Sequence, residues 1–474
     1  MGSHWNAPGK SCIFVQFTGF HPRPMRDLYN RIRSLQRSGG STRLAPAPAA
    51  VEKALPDRLA ALAGLPGVSL ARDLAGKAAV RKKDRDAFLS SLGGGESSTR
   101  AGSFWLRLVV YPPSSLCYTV RDVDGSTLAR LARDETLRAL DPKTTVFIDT
   151  ETTGLAGGTG TYAFLVGVGR FVDAGFAVTH YLMRDYDEEA ALLNALLADL
   201  SSASALVSFN GKCFDIPLLS TRFRMNRCPP IVDCIPHFDL LFSARRLWRH
   251  RCKQCDLLNL ESLLLDHVRE IDVPSYLIPQ IYFDFVRGVG IERMGQVLAH
   301  NAEDILSLVG LTAKACRFYR SPELEVEDPL DWFSLGKSFL GDGDHERARF
   351  FLERSLQYDL PSETRWAAQR EYSLLLKRAG DYSRATTVWR EMLDHESGFH
   401  PFPYEELAKY YEHVACNAER ALDLVRQALA RLEAFSRHSY DREAPPLRTE
   451  LVRAELTHRF KRLMRKADTV NRGR

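Results

Sequence analysis

Three short acidic stretches, far apart along the chain, hold the residues best suited to chemistry. The first, Phe147-Ile-Asp149-Thr-Glu151-Thr-Thr-Gly154, sets two carboxylates two residues apart as an apolar run ends. In a strand that spacing puts both side chains on one face, and carboxylates placed there need something cationic to offset their lost hydration. The second, Ser208-Phe-Asn210-Gly-Lys-Cys-Phe214-Asp215, puts Asp215 between a strand and a helix. The third, His300-Asn-Ala-Glu-Asp304, places His300 and Asp304 one helical turn apart on one face. Each alone has a blander reading: Asp-x-Glu is common at strand ends, Asp215 would serve as a helix cap, and His300 would be structural. Brought together, the four carboxylates make an oxygen-rich site of the kind that holds hard cations such as Mg²⁺ or Mn²⁺. Two such ions roughly 4 Å apart can stabilise the attacking and leaving oxygens of an in-line phosphoryl displacement. His300 is then placed to orient or deprotonate the attacking water.

The elements around these motifs read as a mixed α/β sheet. Phe104–Tyr111 is strand-like, and Val146-Phe-Ile is a buried strand leading into the first acidic pair. Tyr162–Phe171 and Phe176–Met183 form two more strands, with Asp173-Ala-Gly175 as their turn. A helix over Glu188–Leu200, a strand over Ala205–Phe209 and a helix over Ile216–Met225 follow. Three antiparallel strands and then alternating helix and strand describe a layered α/β domain. The motifs fall at its strand ends.

The motifs Asp149-Thr-Glu151-Thr-Thr-Gly, Asn210…Phe214-Asp215 and His300…Asp304 resemble the three exonuclease motifs of the DEDD superfamily, which has an RNase H-like fold. The longer run from Asp149 to Gly167, with His237-Phe-Asp-Leu-Leu241, Arg245-Arg-Leu-Trp248 and Asp272-Val-Pro274…Ile278-Pro279, is similar to its YprB-type bacterial branch. The resemblance spans about residues 104–318. It implies a 3′–5′ exonuclease acting in DNA repair, beside a helicase, and releasing nucleoside 5′-monophosphates. It also implies that Asp149, Glu151 and Asp304 hold the metals directly, with Asp215 acting through a water or at the second ion. Thr152, Asn210 and Phe214, inside these motifs, are expected to meet the substrate. One departure stands out: the superfamily has a tyrosine four residues, or a histidine five residues, before the last aspartate. Here a histidine stands at the four-residue spacing.

The rest of the chain frames this domain. At 474 residues it is long enough for two or three cores. A net charge of +5 permits a polyanionic partner without demanding one. Nine scattered cysteines make no disulfide framework and suit a reducing compartment. No apolar run approaches a membrane span, and no leader is recognised at Cys12–Phe20, so the protein is expected to be cytoplasmic. Residues 1–103 are read as poorly ordered, with a basic helix near 25–37 and short helices near 51–63 and 68–91. An acidic linker over 319–330 leads to helical repeats over 331–440 and a basic helix or tail over 441–474. Trp332-Phe-Ser-Leu335-Gly336-Lys-Ser-Phe339 opens like a tetratricopeptide repeat, with Ala348, Ala385 and Ala421 at successive small positions. Their spacing slightly exceeds the roughly 34 residues of that repeat. Such repeats would recruit a protein partner.

Two further signals concern the partner. Arg245-Arg246-Leu-Trp248-Arg-His-Arg surrounds a tryptophan with cations, a recipe for gripping a single strand, or equally a solvated helix face with one core tryptophan. Cys252-Lys-Gln-Cys255 is one unmatched pair, read as two partly buried cysteines ahead of a helix rather than as a zinc site. Gly158-Thr-Gly160 precedes a strand and does not open a helix, so it is not a dinucleotide fingerprint. Single-stranded DNA is the favoured substrate and RNA an open one. The competing readings are an inactive nucleic-acid-binding adaptor and a phosphoesterase of small esters.

Overall fold

Among the described residues, seven strands form one mixed sheet in the order β1-β2-β5-β4-β3-β6-β7. The computed structural model describes residues 82–154, 158–269, 272–394, 399–438 and 446–472. The basic helix expected at 25–37 and the helix expected at 51–63 lie outside these residues, as does the start of the one expected at 68–91. The chain divides into two compact units. The first takes the described residues up to Leu128, then Thr136–Leu240 and Glu261–Ala313; the second takes Ala129–Glu135, Leu241–Leu260 and everything from Lys314.

In the first unit, β1 (Gly95–Thr99), β2 (Gly102–Tyr111), β5 (Gly175–Leu182), β4 (Ala163–Val172) and β3 (Val146–Thr152) run antiparallel to their neighbours. The short β6 (Leu206–Ser208) and β7 (His237–Asp239) then add parallel to β3. β4 is near-continuously apolar and buried because it sits mid-sheet, covered on both faces. The ordered domain begins before residue 104, which corrects the boundary expected there. Helix α1 over 82–91 and strand β1 are tied in by Arg184, almost fully buried, which pairs with Asp86 at 3.1 Å, Glu96 at 2.7 Å and Glu188 at 2.6 Å. The Gly and Ser residues of this stretch hid a strand that has no apolar face to reveal it.

Four helices matter for the site. α3 (Glu189–Leu200) buries Leu192, Leu193 and Leu196, α4 (Asp215–Met225) follows β6, and α7 (Ile278–Val286) lays Tyr282 on Phe164 of β4 with ring centres 4.0 Å apart. The long helix α8 (Met294–Arg320) packs across β4, and two glycines make this approach possible. A Cβ on Gly167 would stand 2.0 Å from the Asn301 side chain, and one on Gly169 would stand 2.5 Å from Ile305. Both glycines share one face of the strand, while Asn301 and Ile305 share one face of the helix. Gly167 pairs with Asp149 in the neighbouring strand, so the third motif arrives directly over the first.

In the second unit, helix α2 (Gly125–Ala132) ends, and α5 (Leu240–Trp248) and α6 (Leu257–Leu264) are partly held. There follow α9 (Pro329–Gly341), α10 (His345–Leu356), α11 (Ser362–Arg378), α12 (Tyr382–Asp394), α13 (Pro401–His413), α14 (Ala418–His438) and α15 (Pro446–Arg472). Each of these helices packs on the next in sequence order. Ala348, Ala385 and Ala421 are fully buried, and Gly336 lets α9 and α10 close, since a Cβ there would meet Leu352 at 2.7 Å. The acidic stretch expected as a linker is paired: Glu325 and Glu327 meet Lys314 at 3.2 and 3.1 Å, and Asp328 caps α9. Among the described residues no helix is long and apolar enough to cross a membrane.

The close crossing of α8 over β4 gives a direct prediction. Gly169→Ala forces Ile305 and Phe176 to move and costs about 1–3 kcal/mol, read as a lower melting temperature. Gly160→Ala, with nothing within 4 Å of the added carbon, leaves melting unchanged. Equal melting of both variants would show that the helix does not need those glycines.

Candidate active site

Each acidic residue is delivered by a different piece of the sheet. β3 presents Asp149 and Glu151 on the face that α8 covers, beyond the apolar Val146-Phe147-Ile148 that anchors the strand in the core. The register shifts between Glu151 and Thr152, so the strand bends as it leaves the sheet. Asp215 is the first residue of α4. The turn before it is set by Asn210, whose φ of 63° is left-handed, and by Asp239 of β7, which accepts the backbone N–H of Asn210 at 2.8 Å and of Lys212 at 3.0 Å. The Thr150 hydroxyl donates to Asp215 and ties α4 to β3. α8 supplies His300, Asn301 and Asp304.

These groups meet. His300 Nε2 lies 3.3 Å from Asp304 Oδ2 and 3.8 Å from Glu151 Oε1, and Asn301 Nδ2 donates to Asp149 Oδ2 at 2.8 Å. Glu151, His300 and Asp304 offer ligand atoms that all lie within 4.8 Å of one another. The four-residue spacing of His300 and Asp304, unusual for the resembled superfamily, therefore still brings the imidazole to the carboxylates.

Crowding raises the proton affinity of the acidic groups in this set. Burial, then repulsion from Asp304, Asp215 and Glu151, holds the Asp149 carboxyl well above the usual range. Burial pushes Glu151 up to about 8, with His300 opposing the rise and Asp304 and Asp215 adding to it. Burial raises Asp215 to about 6 against the hydrogen bond from Thr150. Asp304 is also raised by burial, with His300 and Arg269 opposing. Burial would lower His300, but Asp304, Glu151 and Asp272 outweigh it and raise it. A buried cluster in which each carboxylate disfavours the others fits divalent cations, which would cancel the repulsion and complete the oxygen ligand set. Asp149, Glu151, Asp215 and Asp304 are the residues that could hold them.

Other residues at the site went unnoticed in the sequence. The Arg269 guanidinium donates to Asp304 Oδ1 at 2.6 Å and is gripped by Glu261, almost fully buried, through Nε at 2.9 Å and a second bond from Nη2. Asp272 lies 2.5 Å from His300 Nδ1. Asp272 stands in the Asp-Val-Pro run and Asn301 beside His300, so both had a signal; Arg269 and Glu261 had none.

The expected substrate-contacting residues divide. Asn210 is exposed and Phe214 half-buried beside Asp215, whereas buried Thr152 gives its hydroxyl to the Gly154 carbonyl at 2.9 Å and shapes the turn. The basic-aromatic segment is a correction. Trp248 is fully buried, its ring 5.6 Å from that of Phe318, and Arg246 donates to the Leu131 carbonyl at 2.6 Å. Both belong to the second unit, along with exposed Arg245. Leu240, Ala244, Leu247 and Trp248 form an ordinary helical core stripe, so the tryptophan has no face left for a base. Cys252 and Cys255 are buried, each thiol donating to a backbone carbonyl, and burial pushes Cys255 up to about 11.

A family model described as RNase_H superfamily matches residues 146–316. The chain is 31% identical over 310 residues to the uncharacterized protein YprB of Bacillus subtilis (strain 168), a match covering 65% of this chain and 73% of that protein. The chain belongs to the YprB family. Its sheet domain is of the RNase H superfamily, and membership of that group of nucleic-acid-cleaving folds makes nucleic acid the class of molecule it handles. The helical unit lies mainly beyond the part matched by the family model.

The raised proton affinity can be measured. Because folding raises the Glu151 pKa from 4.5 to about 8, the folded state binds its proton more tightly than the unfolded state does. That contribution to stability is complete below about pH 4.5 and is lost as pH rises towards 8. The melting temperature of chelator-treated protein should fall across this window, Mn²⁺ should restore most at its upper end, and Glu151→Gln should flatten the slope. A melting temperature that is flat with pH and indifferent to Mn²⁺ would contradict the electrostatics described here.

Proposed function

We propose that this protein is a divalent-metal-dependent 3′–5′ exonuclease of the DEDD type, acting on single-stranded DNA in repair and releasing nucleoside 5′-monophosphates. The observation that carries the reading is the convergence of Asp149, Glu151, Asp215 and Asp304 from β3, α4 and α8, with His300 Nε2 directed at the carboxylates. In this reading Asp149, Glu151 and Asp304 hold the metal directly, and Asp215 supports a second ion. Two Mg²⁺ or Mn²⁺ ions bound there supply the positive charge that lets an anionic phosphodiester and its nucleophile meet and that stabilises the leaving oxygen.

The chain's own residues do the rest. His300 takes a proton from the attacking water at Nε2. The water oxygen bonds to the terminal phosphorus and the bond from phosphorus to the 3′ oxygen of the preceding nucleotide breaks. The 5′-phosphate leaves with the terminal nucleoside, and the 3′ oxygen is protonated. Asn301 fixes Asp149 in place through its amide. Exposed Asn210 and half-buried Phe214, next to Asp215, are read as contacts for the terminal nucleotide. Three successive helix pairs with buried Ala348, Ala385 and Ala421 support a tetratricopeptide-like unit that recruits a protein partner, with a helicase in view.

The test is digestion of single-stranded, double-stranded and overhang DNA and RNA, labelled at either end, with Mn²⁺, with Mg²⁺ and with chelator. A metal-dependent ladder shortening from the 3′ end is expected, fastest on single-stranded DNA. Asp149→Asn and Glu151→Gln should lower the rate by more than the roughly 10–100-fold typical of residues standing behind metal ligands. Binding without cleavage, unaltered by Asp149→Asn, would make the protein an adaptor.

A further inference from the structure

Behind the carboxylates lies a second layer of charge that the proposed reaction does not yet use. Glu261 of α6 is nearly inaccessible and holds the Arg269 guanidinium through two nitrogens. That guanidinium reaches Asp304 Oδ1 at 2.6 Å and Asp272 Oδ2 at 3.4 Å. Asp272 Oδ1 in turn lies 2.5 Å from His300 Nδ1. Arg269 Nη1 also comes within 3.3 Å of His300 Nδ1, but one ring nitrogen cannot serve both neighbours. The guanidinium has only protons to offer, and the Asp272 carboxylate needs one. The shorter contact decides, and Nδ1 is the proton-bearing nitrogen. The other nitrogen, Nε2, is then aimed at Glu151 and Asp304.

We propose that Asp272 and Arg269 are positioning residues: Asp272 holds His300 by an Nδ1–H bond with Nε2 facing the reaction, while Arg269, anchored by Glu261, fixes Asp272 and Asp304. The proposal rests on the exonuclease reading for its kinetic consequence. Neither residue touches substrate in this scheme. Each acts through a group that does, in the way a partner behind a histidine fixes its tautomer and ring orientation. Arg269 is suited to this because its planar fork serves several carboxylates in fixed geometry, which a lysine cannot. A purely structural ion-pair network would use the same contacts and fix the same tautomer, but its loss would lower stability without a change in kcat that depends on His300.

The test uses the full chain and four variants: Asp272→Asn, Asp272→Glu, His300→Gln, and Asp272→Asn combined with His300→Gln. Asp272 is partly exposed, so these variants should fold, which thermal melting checks. With Mn²⁺ and a single-stranded oligonucleotide, Asp272→Asn should lower kcat roughly 10–100-fold with KM unchanged, and Asp272→Glu should recover part of it. On the His300→Gln background the same change should matter less than about twofold, because its route is already gone. In metal-free protein, at a pH high enough for the ring to be neutral, nitrogen-15 spectra should show the His300 ring, assigned by its loss in His300→Gln, carrying its one proton at Nδ1, and Asp272→Asn should disturb that preference. Full additivity of the two substitutions, or an unprotonated Nδ1 in the unaltered chain, would overturn the proposal. A chain that cleaves nothing while keeping the Nδ1 proton would sink the exonuclease reading and leave the positioning of the ring standing.

Discussion

Several acidic side chains sit close enough in the sheet unit that each charge disfavours its neighbours, and much of that unit's architecture can be read as consequences of holding them there. Taking an anion out of water is expensive, and each neighbour of like charge adds to the cost. The fold offsets this locally. Thr150 donates to Asp215, Asn301 to Asp149, and Arg269 to Asp304, while His300 faces Glu151 and Asp304. These partners trim the repulsion without cancelling it, which is why Asp149, Glu151, Asp215 and Asp304 all stay protonated to higher pH than free carboxyls do. The remaining repulsion is relieved by protonation, as a bound divalent cation would also relieve it.

Bringing the groups together is a packing problem before it is a chemical one. Asp149 and Glu151 come with their strand, but His300 and Asp304 lie about 150 residues further on and must be laid over that strand. The absence of side chains at Gly167 and Gly169 opens a lane for α8, and the Asn301 side chain occupies the space a Cβ at Gly167 would have needed. One bond from Asn301 to Asp149 then fixes the helix against the strand end. Close packing and ligand geometry are thus set by the same two missing methyl groups.

The helical unit works by a different economy. Its helices contact their neighbours in sequence order, so its stability is built pair by pair, with small residues at Gly336, Ala348, Ala385 and Ala421 where helices come close. Its acidic entry is locked by Lys314, Arg317 and Arg251. The segment around Trp248 belongs to this unit's core, with Phe318 on its ring and Leu131 accepting from Arg246.

The sequence by itself determined the sheet's main strands, the three acidic motifs and the all-helical character of the C-terminal region, because each is carried by local periodicity or by residue types with few alternative uses. Alternation along Val146–Thr152 puts Asp149 and Glu151 on one face whatever surrounds them, and a turn of helix joins His300 to Asp304 in the same way. It could not reveal β1, whose Gly and Ser residues have no apolar face, nor that Trp248 is core, since a tryptophan among arginines looks the same whether it stacks on a base or on Phe318. Only the tertiary structure decided that Arg269, Glu261 and Asp272 stand behind the site, because an ion pair has no periodicity: its partners are chosen by the path of the chain through space. Charge that acts at a distance of a few ångströms leaves no mark at a distance of 35 residues, which is the gap that separates Arg269 from Asp304.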